Sequence, residues 1–94
     1  MDKVEAKEIL DQKIAELRAL PYSELCSRLG HYEHVGVTGK FGTSYLLDIG
    51  VHWDSKRGDN LRVIVSIDDG AWRIIKRLMS DDFIIAPDGS FIDE

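Results

Sequence analysis

The sequence changes its hydrophobic period at Gly30, and this change constrains the fold more than any other feature. Before Gly30, apolar residues recur every three or four positions, as on one side of a helix. After it, apolar and polar residues alternate, and β-branched and aromatic residues become frequent. A chain of 94 residues has the size of one domain. We therefore predict a single α+β domain in which residues 1–29 are helical, 30–79 form a sheet and 80–94 form a C-terminal turn and tail.

The helical part divides at Pro21 into a long and a short segment. The long segment, about 3–19, carries one apolar stripe, made of Ala6, Leu10, Ile14 and Leu17. The short segment, about 21–29, begins with a proline that suits a first helical turn, and Gly30 after it is typical of a C-terminal cap. We expect a long helix followed by a short one.

Three strands are predicted where the alternation is clear, at about 32–37, 44–53 and 61–67. Glycine-containing loops separate them, which favours hairpin connections. A fourth strand is predicted at about 71–78, because the turn signal Asp68-Asp69-Gly70 precedes it. A helix over the same residues is the alternative, since their apolar residues also fit a helical spacing.

Loop lengths and the parity of the apolar residues predict the register of this antiparallel meander. The expected neighbours are Val37 opposite Tyr45, Trp53 opposite Leu61, and Ile67 opposite Trp72. This register collects the apolar residues on one face, which we call the core face and which the two helices can cover. The result is a two-layer α+β domain, with the helical segment packed on one face of a four-stranded antiparallel sheet.

The opposite face of the sheet, called the second face below, carries three predicted cross-strand rows. They are a polar row of His34, Asp48, Ser66 and Arg73, an apolar row of Tyr32, Gly50, Ile64 and Ile75, and a basic row of His52, Arg62 and Arg77. Two small helices cannot cover both faces of a four-stranded sheet, and the apolar row with Leu46 near it suits a protein partner better than water. The alternative is that the C-terminal apolar residues fold back over this face, namely Phe83, Ile84, Ile85, Phe91 and Ile92.

The polar row invites comparison with a catalytic triad. A triad requires His between Ser and the acid, whereas Asp48 occupies the middle position here. A hydrogen-bonded polar row is therefore the simpler interpretation. A metal site is not expected, because His31 and His34 point to opposite faces of one strand and Arg62 stands beside His52. No motif in the sequence predicts a cofactor.

Charge and cysteine content restrict the partners and the compartment. Lys and Arg number 12 against 17 Asp and Glu, so the net charge is −5, which disfavours binding to nucleic acid. Cys26 is the single cysteine, which fits a reducing compartment, and its place on the apolar side of the short helix suggests a core residue. The first residues lack the pattern of an export signal, and no apolar run has the length of a membrane span. We expect a cytoplasmic protein that does not bind membranes.

Several motifs in the second half of the chain suggest a family. They are Trp53-Asp54, Gly58, the run from Arg62 to Gly70 that ends in Ile67-Asp68-Asp69-Gly70, Trp72-Arg73, and Asp82-Phe83-Ile84-Ile85-Ala86-Pro87-Asp88-Gly89-Ser90-Phe91. Through these motifs, over about its last 45 residues, the chain resembles a group of short uncharacterised bacterial proteins. The resemblance implies a bacterial cytoplasmic α+β domain and an extended conformation for 71–78, where Lys76 and Arg77 depart from the apolar residues expected. It implies no activity.

The leading functional hypothesis is a non-enzymatic protein-interaction domain that uses the second face, as a homodimer or against another protein. Neutralising a toxin is one role of this kind. The expected contact residues are Tyr32, Leu46, Ile64, Ile75, His52, Arg62, Arg73 and Arg77. The alternative hypothesis is a small-ligand or enzymatic site around His34, Asp48, Ser66 and Arg73.

Overall fold

A computed structural model of the chain describes residues 3–68 and 79–92. Its elements are α1 (Lys3–Arg18), α2 (Tyr22–Cys26), β1 (Tyr32–Thr38), β2 (Ser44–Trp53), β3 (Leu61–Asp68), β4 (Met79–Ile85) and β5 (Phe91–Ile92). The strands form one antiparallel sheet in the order β1-β2-β3-β4-β5. The predicted α+β class and antiparallel meander are confirmed.

The apolar stripe of α1 is buried as predicted. Its residues join one core cluster with the inward side chains of the sheet, and α1 packs against β3 and β4. The short helix α2 ends earlier than the predicted 21–29, and it buries Leu25 while Cys26 packs beside the core. The Tyr22 hydroxyl of α2 donates a hydrogen bond to the carbonyl oxygen of Asp59, which fixes α2 to the loop between β2 and β3.

Alternate residues of the central strands form the core face. In β2 and β3 these are Tyr45, Leu47, Ile49, Val51, Leu61, Val63, Val65 and Ile67, all buried. Val37 lies opposite Tyr45 and Trp53 opposite Leu61, so both of these predicted pairs are confirmed. The period of two therefore predicted both the strands and their inward side.

The fourth strand is not where the sequence predicted it. The partner of β3 is Met79–Ile85, and Ile67 lies opposite Met79 in place of Trp72. The residues of the predicted strand 71–78 lie outside the described residues. The interpretation of 80–94 as a turn and tail is also wrong, since it contains most of β4 and all of β5. Burial explains the choice, because Phe83 and Ile85 complete the core opposite Val63 and Leu61.

The C-terminal residues extend the sheet and do not fold back over it. Phe83, Ile85 and Phe91 face the core side, while Ile84 and Ile92 face the other side from within the sheet. The guanidinium of Arg18 stacks over the rings of Phe83 and Phe91, at 5.5 and 4.4 Å from their centroids. This cation–π contact joins the end of α1 to the hairpin of β4 and β5.

The helical layer covers the sheet unevenly. Because α1 packs on β3 and β4, the strand β1 at the sheet edge receives less cover. Val35 and Val37 on the core face of β1 are accordingly only partly buried, unlike their neighbours on β2. Around β1, the core face of the sheet is therefore less well covered by helices than it is elsewhere in the described fold.

A buried carboxylate connects the start of α1 to the loop between β1 and β2. Glu5 is only 7% exposed. Its Oε2 accepts a hydrogen bond from the backbone N–H of Lys40 at 2.8 Å, and its Oε1 accepts one from the Tyr45 hydroxyl at 2.7 Å. Gly39 lies so close that a Cβ there would collide with this carboxylate. Glu5 thus joins the two layers at the end where α1 begins.

Replacing Glu5 by alanine should destabilise the fold. The change leaves the buried hydroxyl of Tyr45 and the N–H of Lys40 without this acceptor, which costs about 1–3 kcal/mol. Urea unfolding followed by circular dichroism measures the free energy of unfolding. The control is Glu8→Ala, because the exposed Glu8 reaches Lys40 only at 3.9 Å and its loss should change stability by less than about 0.5 kcal/mol. Equal losses in the two variants would contradict the role assigned to Glu5.

Candidate interaction face

Besides the end pair Thr38 and Ser44, the second face carries four cross-strand rows in the described structure. The rows are Gly36, Leu46 and Asp68; His34, Asp48, Ser66 and Ser80; Tyr32, Gly50, Ile64 and Asp82; and His52, Arg62, Ile84 and Ile92. The first three members of the predicted polar and apolar rows are neighbours, and so are His52 and Arg62. The sequence therefore predicted correctly which side chains of β1, β2 and β3 share this face.

The positions predicted for the fourth strand are held by other residues. Ser80, Asp82 and Ile84 stand where Arg73, Ile75 and Arg77 were expected. Arg73, Ile75 and Arg77 lie outside the described residues. The correction follows from the pairing of β3 with β4, and it replaces two predicted cations by a serine and an isoleucine.

The His34 and Asp48 side chains form a short hydrogen bond across β1 and β2. His34 Nδ1 lies 2.5 Å from Asp48 Oδ1. Ser66 is opposite Asp48 on the other side, so the acid separates the histidine from the serine. In this order His34 is not placed to take a proton from the Ser66 hydroxyl, which a nucleophilic triad requires. The arrangement satisfies two polar groups on an exposed sheet.

Tyr32 lies across Gly50 and reaches His52 two residues further along β2. The Tyr32 hydroxyl is 3.1 Å from His52 Nε2, and the two ring centroids are 5.4 Å apart. The absence of a side chain at Gly50 makes room for the ring, because a Cβ there would lie 2.8 Å from Tyr32 Cε1. A glycine inside a strand often marks such a close approach.

Arg62 is held by two carboxylates of its own chain. Its Nε donates to Asp54 Oδ1 at 3.0 Å, and its Nη1 donates to Asp82 Oδ2. These hydrogen bonds, that to Asp82 first, raise the pKa of Arg62 above its ordinary value. Arg62 therefore offers a partner much less free positive charge than the predicted basic row implied.

Exposure of apolar side chains on this face decreases from β1 and β2 towards β4. Tyr32 is 64% and Leu46 is 42% exposed. Ile64 on β3 is partly buried, and Ile84 on β4 is only 8% exposed. We call Tyr32, His34, Leu46 and Asp48 the outer patch, because they form the exposed β1 and β2 part of the second face. In this patch apolar side chains lie on either side of an internally bonded polar pair.

Two other features are absent from the described residues. Among 3–68 and 79–92, no group of three or more His, Cys, Asp or Glu is arranged to hold a metal ion. Within those ranges no helix has the length and apolar character needed to cross a membrane. No protein-family model matches the chain, and neither curated proteins nor solved structures give a significant match.

Two side-chain contacts of the second face were not predicted from the sequence. The bond between Tyr32 and His52 had a signal, namely Gly50 in mid-strand with a large residue two positions after it. The pairing of Arg62 with Asp82 had none, because it depends on which segment pairs with β3.

Placing a methyl group at position 50 should displace the Tyr32 ring. In Gly50→Ala the new Cβ occupies space used by that ring, so the bond from Tyr32 to His52 is lost while stability changes by less than about 1 kcal/mol. NMR spectra of the His52 and Tyr32 rings report the change. Gly36→Ala is the matched control, since Gly36 lies on the same face and a Cβ there meets nothing within 4 Å. Similar ring shifts in both variants would contradict this packing.

Proposed function

We propose that this chain is a non-enzymatic protein-interaction domain whose outer patch binds another protein. The main support for this proposal is the exposure of Tyr32 and Leu46 on the second face, against which neither α1 nor α2 packs. Large apolar side chains exposed together on one face are typical of protein-binding surfaces. Tyrosine is enriched at the energetic centres of such surfaces, because it buries a large area at low entropic cost.

The polar groups of the outer patch support the proposal. His34 is bonded to Asp48, and the Tyr32 hydroxyl to His52. A partner that covers these groups does not have to supply new hydrogen bonds for them, so their desolvation costs less than that of unpaired groups. The patch is therefore suited to burial although it contains charged residue types.

The charge of the chain favours a partner that is basic overall. The net charge is −5, and opposite net charges increase the rate of association. A protein that neutralises a basic toxin by covering its surface would have these properties. The resemblance to short bacterial proteins implies a bacterial and cytoplasmic location, which agrees with this proposal.

Replacing Leu46 by aspartate tests the outer patch. Leu46→Asp places a charge in the contact and should reduce capture of the partner from native cell extract at least tenfold. Val4→Asp is the control, because Val4 is an exposed apolar residue on α1 and is remote in the fold from the second face. Captured proteins are quantified by mass spectrometry, and chemical labelling of Tyr32 is measured with and without them.

The expected result is one protein retained by the wild type and by Val4→Asp, lost in Leu46→Asp, and able to protect Tyr32 from labelling. Capture that is equal for all three chains, or a bound protein that leaves Tyr32 as reactive as before, would overturn the proposal.

A small-ligand site at His34 and Asp48 is the second candidate, and the short bond between these exposed side chains is the observation in its favour. A ligand at this site should shift the NMR signals of His34 and Ser66 and lose affinity in His34→Gln. If a panel of small metabolites shifts neither residue, this candidate has no support.

A further inference from the structure

The outer edge of β1 lacks most of the features that usually prevent edge strands from pairing, and its one carboxylate, Glu33, is already ion-paired with Arg28. Among the described strands β1 pairs only with β2, over seven residues in uninterrupted register from Tyr32 to Thr38. Its sequence, YEHVGVT, contains no lysine and no proline, and the register shows no bulge. Such an edge presents unpaired backbone N–H and C=O groups to another strand.

The two ends of β1 carry a projecting side chain and a groove. Phe41, in the loop after β1, is 84% exposed. Before β1, a groove of about 280 Å³ lies between the end of the α2 region and the sheet, lined by Arg28, His31, Tyr32, Ile49 and Val51 among others. Ile49 and Val51 give it an apolar floor. An apolar cavity of about 150 Å³ already holds a benzene molecule, so this groove has room for a phenyl ring.

We propose that β1 pairs with β1 of a second copy of this chain, forming a twofold dimer in which Phe41 of each copy occupies the groove of the other. In a twofold dimer both copies contribute the same surface to the contact. That surface must therefore contain both the projecting group and the groove that receives it. The chain meets that condition because the projecting ring and the groove lie at opposite ends of the same strand.

The register of the dimer follows from the length of the strand. When all seven residues pair antiparallel, Val35 lies on the twofold axis and faces the partner's Val35. Glu33 is then opposite the partner's Val37, and His34 is opposite the partner's Gly36, so no like charges oppose each other. A shift by two residues in one direction would place His34 against the partner's His34.

This register also brings the ring towards the groove. Phe41 is six residues after Val35, and Leu29 is six residues before it, inside the 27–33 segment that borders the groove. Lys40 then lies opposite the partner's Gly30, near the Arg28–Glu33 ion pair that borders the groove.

A stable dimer requires that these surfaces act together as one contact. Such a dimer buries about 800 Å² per partner. That is roughly one-eighth of the 6136 Å² surface of the chain, so the contact has to combine the edge of β1, the Phe41 loop and the groove. The pairing also gives the incompletely covered Val35 and Val37 new apolar neighbours. The dimer shares Tyr32 and His34 on β1 with the outer patch but leaves Leu46 and Asp48 on β2 outside its contact, so a change at Leu46 distinguishes it from the proposed function.

Light scattering after size exclusion, over a hundredfold range of concentration, measures the dimer. The wild type should show twice the 10.7 kDa of one chain. Phe41→Asp should weaken association at least tenfold and Phe41→Leu much less. Gly36→Lys should give a folded monomer, because its Cβ enters open space while its charge lies beside the axis. Leu46→Asp should remain dimeric, which separates this test from that of the outer patch.

A cysteine at the axis tests the register. In a Cys26→Ser background, Val35→Cys should form an interchain disulfide on mild oxidation, because directly opposed residues have Cα atoms about 4.5–5.5 Å apart. Val37→Cys should not, since the two cysteines would be about 13 Å apart along the strands. A wild type that is monomeric at every concentration, a dimer that Phe41→Asp and Gly36→Lys leave intact, or equal cross-linking of the two cysteine variants would overturn the proposal.

Discussion

Burial of one side of α1 against β3 and β4 is the interaction on which the rest of the structure depends. Ala6, Leu10, Ile14 and Leu17 lie in one core with the inward residues of the sheet, and their removal from water is the main favourable term that joins the two layers. Both ends of α1 are fixed by further contacts, Glu5 to the loop after β1 and Arg18 to the rings of Phe83 and Phe91. These polar contacts orient a helix that the apolar stripe holds in place.

The position of α1 also decides where the molecule can bind other chains. Because the helix lies over β3 and β4, the strand β1 is left with partly covered valines on one face, exposed Tyr32 on the other, and an unpaired edge among the described strands. Both proposals therefore concern the same side of the fold. One uses the outer patch of the second face for a different protein, and the other uses the edge of β1 for a second copy.

The second face pairs its charged side chains within the chain, which supports the proposed binding role. Its acids and bases are paired with each other, His34 with Asp48 and Arg62 with Asp54 and Asp82. A polar group that already has a partner in the chain costs less to cover than a free one. The predicted basic row illustrates the difference, since two residues of the chain itself already bind the arginine that was expected to attract a partner.

The sequence alone determined the elements whose side chains repeat with one period. The stripe of α1, the alternation in β2 and β3, and the pairs Val37 with Tyr45 and Trp53 with Leu61 followed from spacing and loop length, because both are local properties of the chain. Only the tertiary structure decided the partner of β3, the burial of Glu5 and the bonds of Arg62. The turn signal at 68–70 favoured a strand starting at residue 71, but Phe83 and Ile85 complete the core opposite β3. Which of several apolar segments pairs with a given strand depends on the burial summed over the whole core, and no local period contains that quantity.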